Sequence, residues 1–123
     1  MPTGIPSETA VFERPRAPAL FDNPMRTSLL MILAVLGESY PAALGRYLGA
    51  TISSVQRSLD RLEAEGLIAS RQIAVRNVTL NPLYPAAKEL KALLLRLADG
   101  YPEYARIAES IRRRPRRRRK SLI

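Results

Sequence analysis

The feature that most limits the fold is an uninterrupted apolar run at residues 29–36, Leu29-Leu30-Met31-Ile32-Leu33-Ala34-Val35-Leu36. Wound into a helix, such a run has no polar face, so the helix must be covered on more than one side. It falls far short of the roughly 18 to 20 residues that a membrane span needs, so no membrane partner is expected. Its ends are marked: Asn23 reads as an N-cap, Pro24 suits the first helical position, and Gly37 stops the helix. A chain of 123 residues suits one domain, with material for one modest core. One side of the apolar helix is therefore expected to face a second copy of the chain.

The remaining elements are set out by proline, glycine and hydrophobic spacing. Pro41 opens a second helix, 41–48, with Leu44 and Leu48 inward, and Gly49-Ala50 makes a turn. Thr51 caps a third helix, 52–65, on which Ile52, Val55, Leu59 and Leu62 share one face, and Gly66 ends it. Two short stretches rich in β-branched residues, 67–73 and 75–80, read as a hairpin closed by Asn81-Pro82. A fourth helix, 85–99, carries Leu90, Leu93, Leu94 and Leu97 at amphipathic spacing. Pro102 begins a fifth, with Tyr104, Ile107, Ala108 and Ile111 on one side. Residues 1–25 hold five of the ten prolines and read as an arm. No internal repeat is visible.

Composition excludes several chemistries. The chain has neither cysteine nor histidine. Disulfides, thiolate or imidazole metal sites and cysteine or histidine catalysis are thereby removed. No carboxylate pair stands out on a common face, so neither an enzyme nor a cofactor is expected. The N-terminal stretch has no apolar segment of the signal-peptide kind, and the expected compartment is the cytoplasm. The net charge of +9 is concentrated: residues 112–120 hold eight basic residues and no acidic one, leaving twelve basic against eleven acidic elsewhere. The charge thus describes the tail, which as a block of like sign binds polyanions without sequence preference. Any specific role must come from the pattern of the body.

That pattern lies in residues 48–68, Leu48-Gly49-Ala50-Thr51-Ile52-Ser53-Ser54-Val55-Gln56-Arg57-Ser58-Leu59-Asp60-Arg61-Leu62-Glu63-Ala64-Glu65-Gly66-Leu67-Ile68. With Arg76-Asn77-Val78-Thr79-Leu80-Asn81-Pro82 as the strand closing the hairpin, it resembles the winged helix-turn-helix family, in particular its ArsR/MarR-like bacterial regulators. The resemblance covers residues 26–99. It implies a mainly α fold with a small β-hairpin, dimerising through the first and the C-terminal helices, and a third helix that enters the major groove of double-stranded DNA. Missing cysteine and histidine argue against the metal sensing found in some ArsR-like relatives, and no effector pocket is evident.

The residues support this independently. With the apolar stripe inward, Ser53, Ser54, Arg57, Ser58 and Arg61 fall on the other side of the third helix. Short hydroxyl side chains allow close approach, and arginine pairs bidentately with a guanine edge. Arg57 lies nearer than Arg61 to the N-terminal half that reads bases. Thr51 serves as cap or contact. Arg57 with Asp60, and Arg61 with Glu65, could instead be surface ion pairs. Arg46, Arg71 and Arg76 are candidates for backbone phosphates. The hairpin tip at 73–75 is apolar where many wings of the family carry glycine and arginine, which favours phosphate contact over deep minor-groove insertion. Arg112, Arg113, Arg114, Arg116, Arg117, Arg118, Arg119 and Lys120 form the basic arm.

The expected organisation is an arm (1–25), a winged helix-turn-helix domain (26–82), C-terminal dimerisation helices (83–112) and a basic tail (113–123). The expected function is a dimeric, sequence-specific regulator, a repressor by default. The rivals are a non-specific nucleoid-associated binder and a protein-interaction module such as an antitoxin.

Overall fold

The computed structural model describes residues 23–113. Residues 1–22 of the expected arm and the tail residues Arg114, Arg116, Arg117, Arg118, Arg119 and Lys120 lie outside them; of the arm expected over 1–25, Pro24 and Met25 belong instead to the first helix, which Asn23 caps. The described chain runs α1 (Pro24–Leu36), β1 (Glu38–Ser39), α2 (Pro41–Leu48), α3 (Ile52–Ala64), β2 (Ile68–Gln72), β3 (Arg76–Leu80), α4 (Ala87–Ala98) and α5 (Pro102–Arg113). This is a winged helix: mainly helical, with one small antiparallel sheet.

Helix α1 starts as its sequence dictates. The Asn23 side chain accepts from the Arg26 amide at 3.1 Å, which satisfies a donor that the first turn leaves open. Every residue from Thr27 to Ala34 is buried. The apolar run is covered within the chain, by α4, α5, β3, α3 and α2. Helices α4 and α5 fold back over α1, so that residues 27–34 are covered within the chain and only Val35 and Leu36 at the end of the run stay half-buried. Tyr104 on α5 is buried, and its hydroxyl donates to Ser28 Oγ at 3.4 Å. Its ring meets Tyr101 edge-on at 6.3 Å, a favoured arrangement of ring quadrupoles.

The sheet differs from a plain hairpin. Residues 38–39 add a third strand, giving the order β1-β3-β2, with Ser39 opposite Val78 and Ser70 opposite Val78 on the other side. Sequence gave no sign of this strand, since two residues carry no period. It is made possible by Gly37, whose φ of +90° turns the chain sharply off α1. A side chain there would meet nothing within 4 Å, so glycine serves the backbone angle rather than the space.

Between α2 and α3 the constraint is space. A Cβ on Gly45 would lie 2.8 Å from the Ala50 carbonyl oxygen. The Ala50 amide in turn donates to the Gly45 carbonyl at 2.9 Å. The tight turn between the two helices thus depends on a bare backbone in the middle of α2. On α3, Val55, Leu59 and Leu62 are buried, while Ile52, expected with them, is 51% exposed. Ile52 is the first residue of the helix, where the chain has not yet reached the core. The stripe on α4 is also narrower than expected: Leu94 is buried, Leu90 and Leu97 pack partly, and Leu93 is 44% exposed. This helix begins at Ala87 rather than at Pro85. No helix among the described residues is long and apolar enough to cross a membrane.

Candidate nucleic-acid interface

The α2–turn–α3 unit presents α3 with its buried stripe toward α1 and the sheet, and its opposite side open. Thr51 fixes where α3 starts: its Oγ1 accepts from the Ser54 amide at 3.2 Å, so the hydroxyl works as a cap. Ser53 and Arg57 are exposed on the open side, and Ser54 and Ser58 are half-buried. Arg57 makes no hydrogen bond or ion pair among the described residues. The expected alternative, a pair with Asp60, does not form, because Asp60 is 3.1 Å from Arg76 instead. Arg61 does approach Glu65, at 3.9 Å, but both are well exposed, so the pair contributes at most about 1 kcal/mol.

An open groove runs between α3 and the first turn of α1, its polar lining including Arg26, Ser54, Arg57, Ser58, Arg61 and the carboxylate of Asp60. It brings three arginines and two serines into one concave surface. Arg26 was not foreseen. It also lies 3.6 Å from Glu65, so one carboxylate is shared by two guanidinium groups. Nothing in the local sequence distinguishes Arg26; only the packing of α1 across α3 brings it there.

The backbone-contact candidates divide. Arg46, in the last turn of α2, is exposed. Its guanidinium donates to the Tyr40 hydroxyl at 3.4 Å. That bond raises the Arg46 pKa above its ordinary value. Arg71 on β2 is exposed, opposite Asn77 in the ladder, near the uncovered tip residues Ile73 and Val75. Arg76 is placed otherwise: its side chain is only 15% exposed and pairs with Asp60 at 3.1 Å and Glu63 at 2.8 Å, both on α3. A guanidinium already occupied by protein acceptors is poorly placed to hold a phosphate, so the wing's exposed cation is Arg71. Arg112 lies on α5, 3.3 Å from Glu109, and Arg113 is the last residue of that helix.

Among the described residues no group of three His, Cys, Asp or Glu could hold a metal ion.

Comparison with known proteins adds two findings. Residues 42–68, which span α2, the turn and α3, match the family model described as bacterial regulatory proteins, crp family. Solved structures of ZitR variants from Lactococcus lactis are similar in fold. One superposes with a TM-score of 0.52 at 17% identity, covering 86% of this chain and 73% of that chain. A second gives 0.51 at 17% identity, covering 80% and 66%. No curated protein matches the sequence.

Proposed function

We propose that the protein is a sequence-specific double-stranded-DNA-binding transcriptional regulator of the ArsR/MarR-like kind, a repressor acting by occupying its site. The observation that carries this reading is the open side of α3. It bears Arg57, unpaired among the described residues, beside serines, on a helix held at its start by a capped tight turn, in a segment that matches a bacterial regulator model. In this reading α3 enters the major groove, with Ser53, Ser54, Ser58, Arg57 and Arg61 toward the bases or the groove wall. Arg46 and Arg71 hold phosphates, and the basic tail adds phosphate contacts that carry no sequence information.

In this reading the protein acts as a homodimer through the end of α1 together with α4 and α5. Leu93, Leu95 and Ile111 are exposed there, and Leu95 borders an apolar groove with Val35, Tyr101 and Ala105. A dimer reads a pseudo-palindrome with half-sites about one helical turn apart.

Selection from a random DNA pool tests the function, with a defined motif as the expected result. Binding of all DNA alike would favour the non-specific reading, to which the basic tail lends weight. Binding to no DNA at low salt would favour a protein-interaction module. The tail's share is separable. Removing residues 114–123 should flatten the dependence of log affinity on log salt by about 3 units if half the charges engage, with the selected motif unchanged.

A further inference from the structure

The cluster around Arg76 joins the wing to α3. Arg76 Nε donates to Ser70 Oγ at 3.0 Å. Its Nη1 donates to Gln56 Oε1 at 2.6 Å and lies 3.1 Å from Asp60 Oδ1. Its Nη2 donates to Glu63 Oε1 at 2.8 Å, which also accepts from Ser70 Oγ at 2.8 Å. One side chain of β3 therefore fastens three successive turns of α3.

Gln56 is the informative member. Arginine has donors only, so the atom of the carboxamide that faces it must be the oxygen. This fixes which way round the amide stands. The oxygen is turned to the wing, and Nε2 points away from the guanidinium with no hydrogen bond among the described residues. Gln56 is the fifth residue of α3, in the half of a recognition helix that meets base edges. A free glutamine offers both a donor and an acceptor, and so suits adenine, whose N6 donates and N7 accepts. A glutamine whose oxygen is turned to the wing and bonded there presents its amino group, a donor, to anything on its other side. Its complement is guanine, whose N7 and O6 both accept.

We propose that Gln56 is a specificity-determining residue that reads guanine, and that Arg76 is the positioning residue that sets this preference without touching DNA. The proposal rests on the reading that α3 enters the major groove. Arg76 has a second effect in the same place. It offsets Asp60 and Glu63, two carboxylates on a helix that must approach phosphates.

The test is DNA selection, with a salt titration on the selected site, for the unaltered chain, Gln56→Ala, Gln56→Glu and Arg76→Ala. In the unaltered chain one position of each half-site should be guanine, and Gln56→Ala should relax it with a loss of about tenfold in affinity. Arg76→Ala frees the oxygen and should move that position from guanine toward adenine, leaving the salt slope unchanged. Gln56→Glu keeps an acceptor for Arg76 but removes the donor. It should abolish the guanine preference in favour of cytosine, whose N4 donates, and it carries the test if Arg76→Ala does not fold. A motif untouched by Gln56→Ala overturns the proposal alone. So does an Arg76→Ala chain that keeps its guanine and loses about one unit of salt slope, since Arg76 would then be a phosphate contact. An unaltered chain that selects no motif overturns the DNA-reading function and the proposal with it.

Discussion

Helices α1 and α3 are both thirteen residues long, yet they relate to the rest of the molecule in opposite ways. Eight consecutive residues of α1 are buried, whereas α3 buries only Val55, Leu59 and Leu62. Helix α1 is the axis on which the helices and sheet are assembled, and α3 lies against that assembly along one stripe. A helix surrounded on every side is fixed in place by packing. It can then hold a second helix firmly while leaving most of that helix's surface uncommitted. If α3 binds DNA as proposed, the division separates stability from binding by element, and substitutions should affect one or the other.

The largest effect should come from α1. Leu30→Ala removes a side chain that is 1% exposed and should destabilise the fold by about 2 to 5 kcal/mol. Chemical denaturation would measure it, and a loss under about 1 kcal/mol would mean that α1 is not the packed axis described. Arg57→Ala comes next and should act in the other currency. Affinity for the selected DNA should fall by roughly 1 to 3 kcal/mol, while unfolding stays within about 0.5 kcal/mol of the parent. If both change together, the separation between the two helices fails. Thr51→Ala deletes the cap of α3 and should lower stability by about 1 kcal/mol, whereas Thr51→Ser should retain most of it. The smallest effect is expected at Ile52. Ile52→Ser should leave stability within about 0.5 kcal/mol, in contrast to Leu59→Ala on the same helix, which should cost about 2 to 5 kcal/mol.

Ile52 also shows where sequence reading stops. Periodicity places it with Val55, Leu59 and Leu62, and the error arises because a period assigns a face without saying where along the helix the core begins. The helix starts at Pro24, Pro41 and Ile52 were legible because Asn23-Pro24, Pro41 and Thr51 act within a turn of where they stand. Strand β1 was not, since two residues become a strand only when β3 is beside them. The open side of α3 was readable as the remainder of its apolar stripe. The division of the arginines was not. Arg71 and Arg76 look alike in sequence, and what distinguishes them is that β3 carries Arg76 across to Gln56, twenty positions away. Pairings of that reach leave no local pattern. The same holds for the destination of the 29–36 run: the sequence required that it be covered, and only the return of α4 and α5 decided by what.

The near-contact of Gly45 with the Ala50 carbonyl has a mechanical consequence. The turn that leaves α2 has no room for a side chain at Gly45, and the Ala50 amide bonded to the Gly45 carbonyl holds that turn closed. The joint is therefore stiff, and α2 and α3 move as a single lever. A displacement of α3 would therefore carry α2 with it, tilting the pair on the surface of α1 along the seam between them. Any residue larger than glycine at position 45 would wedge the joint open and change the angle at which the lever meets its target, with every exposed side chain of α3 still in place.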